Sequence, residues 1–387
     1  MSLYVVKFGG SSVATTARIK HVADIVSKLV LKGNEVVVVT SAMQGVTNQL
    51  IDFTRAFQES SVNREYDAII SSGEQVAAGL LAMCLESIGV KSKSFVSWQI
   101  PINVDGIFSN AFIDSVNKSK ILKSLEKGIT PVIAGFQGIS KNGDIMTIGR
   151  GGSDATACAI SHAINADECF IYTDVDGVYS ADPRIVLNSK RLKEISYNEM
   201  IELASNGAKV LQSKSVLIAK NCNVKLRVLS SFQDDDGGET MVTNETVYIP
   251  KDKNIAGIAH NMGLSKATIF GINDAALILS KINNPELISI NGDSLSFLFP
   301  KTSLLDVKLI LEKNNLLFEI DNDIGVVSIV GSGVKTDNSI LNTSISIISE
   351  NGIKLKQITV SEISISIVVP LGQTNISLNL LHEKFFG

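Results

Sequence analysis

Three clusters of residues in the first half of the chain have types and spacings that could do chemistry. The first, Lys7-Phe8-Gly9-Gly10-Ser11-Ser12, ends a β-branched run and precedes a segment of helical period opening near Thr16. Two glycines at a strand-to-helix turn let backbone N–H groups approach an anion, the helix N-terminus adds its dipole, and Lys7 adds a full charge. That chemistry is phosphate binding. A plain turn with a strand-end lysine would read the same way, and the Walker spacing G-x-x-x-x-G-K-[ST] is absent. The second cluster, Ile148-Gly149-Arg150-Gly151-Gly152-Ser153-Asp154, precedes a helix through Ala157, Ile160 and Ala163. Turn geometry asks for one or two glycines; three of them with an arginine, an N-capping serine and a carboxylate point to a binding loop. The third runs Tyr172-Thr173-Asp174-Val175-Asp176-Gly177-Val178-Tyr179, then Asp182-Pro183-Arg184, after another strand. Open α/β sheets bind ligands outside the carboxyl ends of their strands, so the three clusters should converge on one site.

Weaker signals surround these. Ser41 and Thr47 flank a loop after the second strand and could hold substrate or cap the next helix. Glu74, in Ser71-Ser72-Gly73-Glu74, falls in the first turn of an apolar helix, where the dipole favours a carboxylate whatever its role. Gly331-Ser332-Gly333-Val334-Lys335-Thr336 imitates a phosphate loop, but its spacing fails the motif. His21, His162, His260 and His382 show neither metal-ligand spacing nor a neighbouring nucleophile and read as structural; no metal site is expected.

The elements that must position these residues follow from periodicity. Short β-branched runs at 4–8, 35–40, 92–96, 130–134, 169–173 and 225–229 alternate with helical stripes, among them Ile19, Val22, Ile25, Val26 and Leu29, and others over 76–85 and 116–125. This is an α/β domain with a mostly parallel sheet and helices on both faces. Ser196 and Glu199 read as a capping box. The polar run Asp234-Asp235-Asp236-Gly237-Gly238 has nothing to bury and reads as a linker. Beyond it the pattern β-α-β-β-α occurs twice, which makes two ferredoxin-like α+β domains. The second copy lacks its closing strand, and residues 255–260 are the candidate to fill that edge. The expected organisation is a catalytic domain at 1–232, a linker at 233–248, a second small domain made of 249–262 and 321–387, and a first small domain, 263–320, nested within it.

With 387 residues the chain exceeds the roughly 250–300 that one core supports. A hydrophobic content of 45% and a charged content of 19% exclude disorder, and a net charge of −4 gives no field for nucleic acid or an anionic membrane. Apolar runs such as 36–39 are far shorter than the roughly 20 residues of a spanning helix, and no secretory signal precedes the first strand. No nucleic-acid partner and no membrane are expected. Four dispersed cysteines without a C-x-x-C pair read as thiols of a reducing compartment, the cytoplasm.

Taken together, these motifs resemble the aspartokinases of the amino-acid kinase superfamily over nearly the whole chain. The resemblance rests on KFGGSSV at 7–13, SSGEQ at 71–75, GFQG at 135–138, GRGGSDATA at 149–157, YTDVDGVYSADPR at 172–184 and NGAKVL at 206–211. Residues 255–260 and 360–366 resemble that family's paired ACT domains. The resemblance implies a three-layer αβα amino-acid kinase domain followed by two ACT domains. It implies transfer of the ATP γ-phosphoryl group to the β-carboxylate of L-aspartate, the first step toward lysine (through diaminopimelate), threonine and methionine. It makes Lys7, Glu74 and Asp154 catalytic, and places aspartate on Ser41, Thr47, Glu74, Arg150, Ser153 and Asp154. The nucleotide falls to Lys7, Gly9, Gly10, Ser11, Thr173, Asp174, Tyr179, Arg184 and Lys209, with Mg²⁺ held mainly by the phosphates. It also implies a homo-oligomer, at least a dimer through the ACT domains, and lysine or threonine as effector. The first ACT unit departs from the family: it lacks the proline-glycine opening after Asp274, and Pro285 ends its helix early, so weak feedback inhibition is expected. The second unit has Asp337-Asn338-Ser339 where the family usually has a proline-glycine pair. A different amino-acid kinase, acting on acetylglutamate or a nucleoside monophosphate, would share Lys7-Phe8-Gly9-Gly10, but the ACT pair and the GRGGSD run argue against it; an inactive amino-acid sensor would keep the fold, but retention of Lys7, Glu74, Arg150 and Asp154 together disfavours it.

Overall fold

The computed structural model describes residues 2–57, 63–208, 210–233, 238–244, 254–271, 275–282 and 285–387. The chain divides into two compact units, the first comprising Met1–Val178, Arg191–Ile201 and Lys209–Val247. Its main sheet orders the strands Glu194–Ser196, Glu239–Thr243, Leu226–Ser230, Glu168–Thr173, Leu3–Phe8, Glu35–Thr40, Thr130–Ala134 and Ser92–Phe95. All neighbours are parallel except Leu226–Ser230 against Glu239–Thr243. Val36 to Val39 are all buried, as a strand covered on both faces requires. Leu3–Phe8 sits in the middle, with Lys7 opposite Val39 on one neighbour and Ile171 on the other. The chain leaves this strand toward one side of the sheet and returns later on the other, which opens a crevice at its carboxyl end.

Helix Thr16–Leu31 forms where Thr15 accepts the Arg18 N–H on its side chain at 3.2 Å, and it buries Ile19, Val22, Ala23 and Val26 at helical spacing. The capping box closes as expected: Glu199 Oε2 accepts from the Ser196 N–H at 3.2 Å, and Ser196 Oγ accepts from the Glu199 N–H at 3.3 Å. Three features differ from the periodicity reading. Val116 ends a strand, Phe112–Val116, and the helix begins only at Ser119. That strand joins Ile102–Asp105, Gln137–Ile139 and Ile145–Thr147 in a second sheet whose members are too short to leave a periodic signal. Glu239–Thr243, assigned to the linker, is a strand whose backbone pairs antiparallel with Leu226–Ser230; the rest of the acidic run, 234–237, lies outside the described residues. The segment Arg64–Ser87 is long and apolar enough to cross a bilayer by length and composition, which a search for single runs overlooks. It is nonetheless a core element, because it carries Asp67 and Glu74 and both are buried.

The second unit comprises Tyr179–Lys190, Glu202–Ala208 and Tyr248–Gly387. One of its sheets orders Gly257–Asn261, Gly325–Val330, Ser364–Val369 and Gln357–Val360, so the segment before the first repeat fills the edge of the second repeat's sheet. The other orders Glu286–Asn291, Ser294–Pro300, Leu264–Phe270 and Leu317–Asp321. Leu317–Asp321 escaped the periodicity reading because it alternates over only five residues. Helix Ala275–Leu279 has five residues, and Asp274 lies outside the described residues. Ala181 and Val186 belong to the same apolar cluster as Ile258, Val327, Ile329 and Leu378. Ser180 Oγ lies 2.8 Å from His382 Nε2, and Ser328 donates its hydroxyl to Asn206 Oδ1 at 2.8 Å. His382 is buried and hydrogen-bonded, in keeping with a structural role. Asp337 caps the helix after Gly331 to Thr336, accepting from the Ser339 N–H, and its carboxylate is repulsive toward a phosphate there.

Candidate active site

The cleft lies within the first unit, has a volume of about 310 Å³, and is bordered by the carboxyl end of Leu3–Phe8 and the start of helix Gly152–Ile164. Lys7 reaches it from the strand end and Asp154 from the first helical turn. Lys7 Nζ and Asp154 Oδ1 stand 2.5 Å apart, each side chain 10% exposed. The Lys7 ammonium and the positive end of the helix both face the Asp154 carboxylate in this position. Removing either member of a buried pair costs about 3–5 kcal/mol, because the survivor stays desolvated.

The loop that delivers Asp154 depends on glycine at two places. Gly149 has φ +84°, and a Cβ there would lie 2.8 Å from the Ser109 carbonyl oxygen. Gly151, the residue before the helix, has φ +72°, and a Cβ would meet the Gln212 side chain at 2.5 Å. An L side chain at either position would be strained by the backbone and blocked by its neighbour.

Glu74 enters from the first turn of helix Ser72–Ser87. Its Oε1 accepts the Ala42 N–H at 3.0 Å, while Oε2 has no hydrogen-bond partner among the described residues. Burial pushes its pKa up to about 7 against the opposing hydrogen bonds from the backbone N–H groups of Ala42 and of Glu74 itself. A buried carboxylate with an unpartnered oxygen in a cleft is a receptor for a cation or a donor.

The cleft brings together Lys7, Gly9, Gly10, Ser41, Thr47, Glu74, Arg150, Ser153 and Asp154. Ser153 is buried, Ser41 and Thr47 are half-buried and Arg150 is exposed. Of the residues expected at the nucleotide, Lys7, Gly9 and Gly10 line it, whereas Ser11, Thr173, Asp174, Tyr179 and Arg184 do not. Thr173 ends strand Glu168–Thr173 and Asp174 follows it, with the Thr173 hydroxyl donating to Asp174 at 3.0 Å. Tyr179 and Arg184 belong to the second unit, where Arg184 is paired with Asp182. Lys209 lies outside the described residues. Phe136, Val210 and Gln212 also line the cleft and were missed. Phe136 and Val210 lie within the motifs at 135–138 and 206–211 and Gln212 just after the second, but none of the three is a type that announces chemistry.

Glu74 gives this site a pH signature. Its folded-state pKa, about 7, lies above the ordinary 4.5, so protonation favours the folded protein and stability falls as pH rises from about 4.5 to 7. Glu74→Gln, neutral throughout, should escape that loss. Relative to wild type it should gain up to roughly 3 kcal/mol at pH 8 and little at pH 4. Thermal melts of both proteins across this range, without ligand, check the expectation; a difference that does not change with pH would refute it.

Comparison with known proteins agrees with this geometry. Residues 2–230 match the amino acid kinase family, and residues 327–385 match an ACT domain. An aspartokinase of Bacillus sp. (strain MGA3) is 38% identical, the alignment covering 100% of this chain and 97% of that protein. An aspartokinase of Rickettsia felis is 37% identical over 95% of each. Among solved structures, E. coli aspartokinase III in complex with aspartate and ADP is similar with a TM-score of 0.82 at 22% identity, covering 100% of both chains. Clostridium acetobutylicum aspartate kinase is similar with a TM-score of 0.77 at 23% identity, covering 99% of this chain and 100% of that one. Identities this low speak for the fold, whereas the full-length relatives speak for descent: the chain belongs to the aspartokinases of the amino-acid kinase family.

Proposed function

We propose that the chain transfers the γ-phosphoryl group of ATP to the β-carboxylate of L-aspartate, giving 4-phospho-L-aspartate. The observation that supports this is the convergence of Lys7, Glu74, Arg150 and Asp154 on one cleft of about 310 Å³. These are two cations and two anions, the complement of a substrate with two carboxylates and an ammonium. The β-carboxylate is ionised at neutral pH and attacks without a general base, so catalysis is positioning and charge neutralisation. Arg150 forks onto the α-carboxylate, and Ser41, Thr47 and Ser153 donate hydroxyl hydrogen bonds around it. Glu74 and Asp154 receive the ammonium. Lys7, with the Gly9 and Gly10 amides, stabilises the transferring phosphoryl group. In the free protein Lys7 is occupied by Asp154. An arriving ammonium competes for that carboxylate and frees Lys7 for the phosphate, so aspartate and nucleotide should bind with positive coupling.

The nucleotide takes Ser11, Thr173, Asp174, Tyr179, Arg184 and Lys209, and Mg²⁺ rides on its phosphates. We place the reaction in the cytoplasm, which suits four free thiols at Cys84, Cys158, Cys169 and Cys222. The catalytic domain is assigned to 1–232. The small domains are assigned to assembly of a homo-oligomer, at least a dimer, and to weak inhibition by lysine or threonine, weak because a five-residue helix offers little to an effector.

Aspartate-dependent ADP formation in a coupled assay is the primary test. Lys7→Ala should lower kcat by roughly a hundredfold or more, and it should also destabilise the fold by leaving Asp154 buried and unpaired. Retention of more than about a tenth of kcat per folded molecule would remove Lys7 from the transfer step. Asp154→Asn should weaken use of aspartate more than binding of a nucleotide analogue, and should abolish the tightening of that analogue by aspartate. Equal coupling in the variant and wild type would break the proposed exchange. Lysine and threonine, alone or mixed, should inhibit only at millimolar concentration; strong submillimolar inhibition would show that the shortened unit still forms an effector pocket.

A further inference from the structure

Asp67 lies in helix Arg64–Ile70, one turn before the helix that carries Glu74, and it is fully buried. It does not line the cleft and pairs with no basic side chain among the described residues. Its carboxylate instead receives four neutral donors: the Ser109 N–H at 2.8 Å and hydroxyl at 2.6 Å, and the Thr147 N–H at 2.7 Å and hydroxyl at 3.0 Å. A buried charge balanced only by dipoles is costly, and an apolar residue would fill the same space more cheaply. What the carboxylate adds is direction: two oxygens fix two separate backbone segments at once.

Those two segments are the root of the glycine loop. Thr147 is two residues before Gly149, and the Ser109 carbonyl is the group that a side chain at Gly149 would strike. The same root is held from elsewhere by Lys214, whose Nζ donates to the Ile148 carbonyl at 2.9 Å and the Ala111 carbonyl at 2.8 Å. Lys214 meets carbonyls here rather than a carboxylate, and burial lowers its pKa. A carboxylate and an ammonium thus grip one short stretch of backbone from which Arg150, Ser153 and Asp154 are carried into the cleft.

We propose that Asp67 is a positioning residue for aspartate recognition: it sets the distance between Glu74, on the helix that follows it, and the loop bearing Arg150 and Asp154, with Lys214 holding the other side of that loop's root. The inference rests on the aspartate-kinase reading of the cleft. Its consequence is selective. Displacement of the loop relative to Glu74 spoils the fit to the ammonium and α-carboxylate together, whereas the nucleotide residues Thr173 and Asp174 sit on a different strand end and keep their geometry. A merely structural role would lower the melting temperature and the active fraction without moving KM.

The test begins with wild type. If it forms no ADP in an aspartate-dependent manner, the functional reading fails, whatever Asp67 does. If it does, Asp67→Asn is measured next, since its amide puts N–H donors where one carboxylate oxygen now accepts from two groups, so that those two contacts must be remade or lost. The expected result is an aspartate KM raised by between about tenfold and a hundredfold, with affinity for a nucleotide analogue within about twofold of wild type. Thr147→Val and Lys214→Met, which leave the carboxylate in place, should raise the aspartate KM by smaller factors, and they decide the matter if Asp67→Asn does not fold. An unchanged aspartate KM, or equal losses of aspartate and nucleotide affinity, would overturn the proposal.

Discussion

The 2.5 Å contact between Lys7 and Asp154 is the constraint around which the first unit is arranged. Lys7 can reach Asp154 only if the central strand ends opposite the start of helix Gly152–Ile164, and the helix can start there only if the chain before it turns through two residues of positive φ. The parallel sheet supplies the first condition by placing Leu3–Phe8 between two strands that leave its end uncovered. Glycine supplies the second. A pair this buried contributes little net stability, so its presence is better understood as a charge arrangement held ready for a ligand than as a strut.

Two carboxylates in the same cleft meet different surroundings. Asp154 has an ammonium against it and a helix dipole behind it. Glu74 accepts from backbone N–H groups, and burial pushes its pKa up to about 7. The empty site therefore carries a compensated charge beside one that is half expressed at pH 7. An incoming ammonium completes the second as it displaces Lys7 from the first, so the ligand's charge is matched without either carboxylate having to be created by a conformational change.

Much of this was legible in the sequence because glycine-rich loops and β-branched runs are local signals. Lys7, Gly149 to Asp154 and the six principal strands announce themselves within seven or eight residues of chain. Asp67 does not, since its partners are 42 and 80 residues away and its neighbours Tyr66, Ala68, Ile69 and Ile70 read as an ordinary apolar stretch. Glu239–Thr243 and Leu317–Asp321 were hidden for a related reason: each is a short strand defined by the partner it pairs with rather than by its own pattern. Val116 was misassigned because a strand and a helix adjoin there with only two residues between. Four of the expected nucleotide residues, Thr173, Asp174, Tyr179 and Arg184, form a single motif at 172–184, yet that motif is divided between the two compact units, a division no linear pattern marks.

That division bears on how the protein comes into being. The hydroxyl of Ser180 finds its partner on His382, 202 residues later, and Ala181 and Val186 find their apolar neighbours on strands and a helix that follow them in the chain. This segment therefore gains its partners only after a long stretch of further chain has been synthesised. A chain cut before His382 would lose this anchor for the stretch carrying Tyr179 and Arg184 while keeping every residue of the cleft.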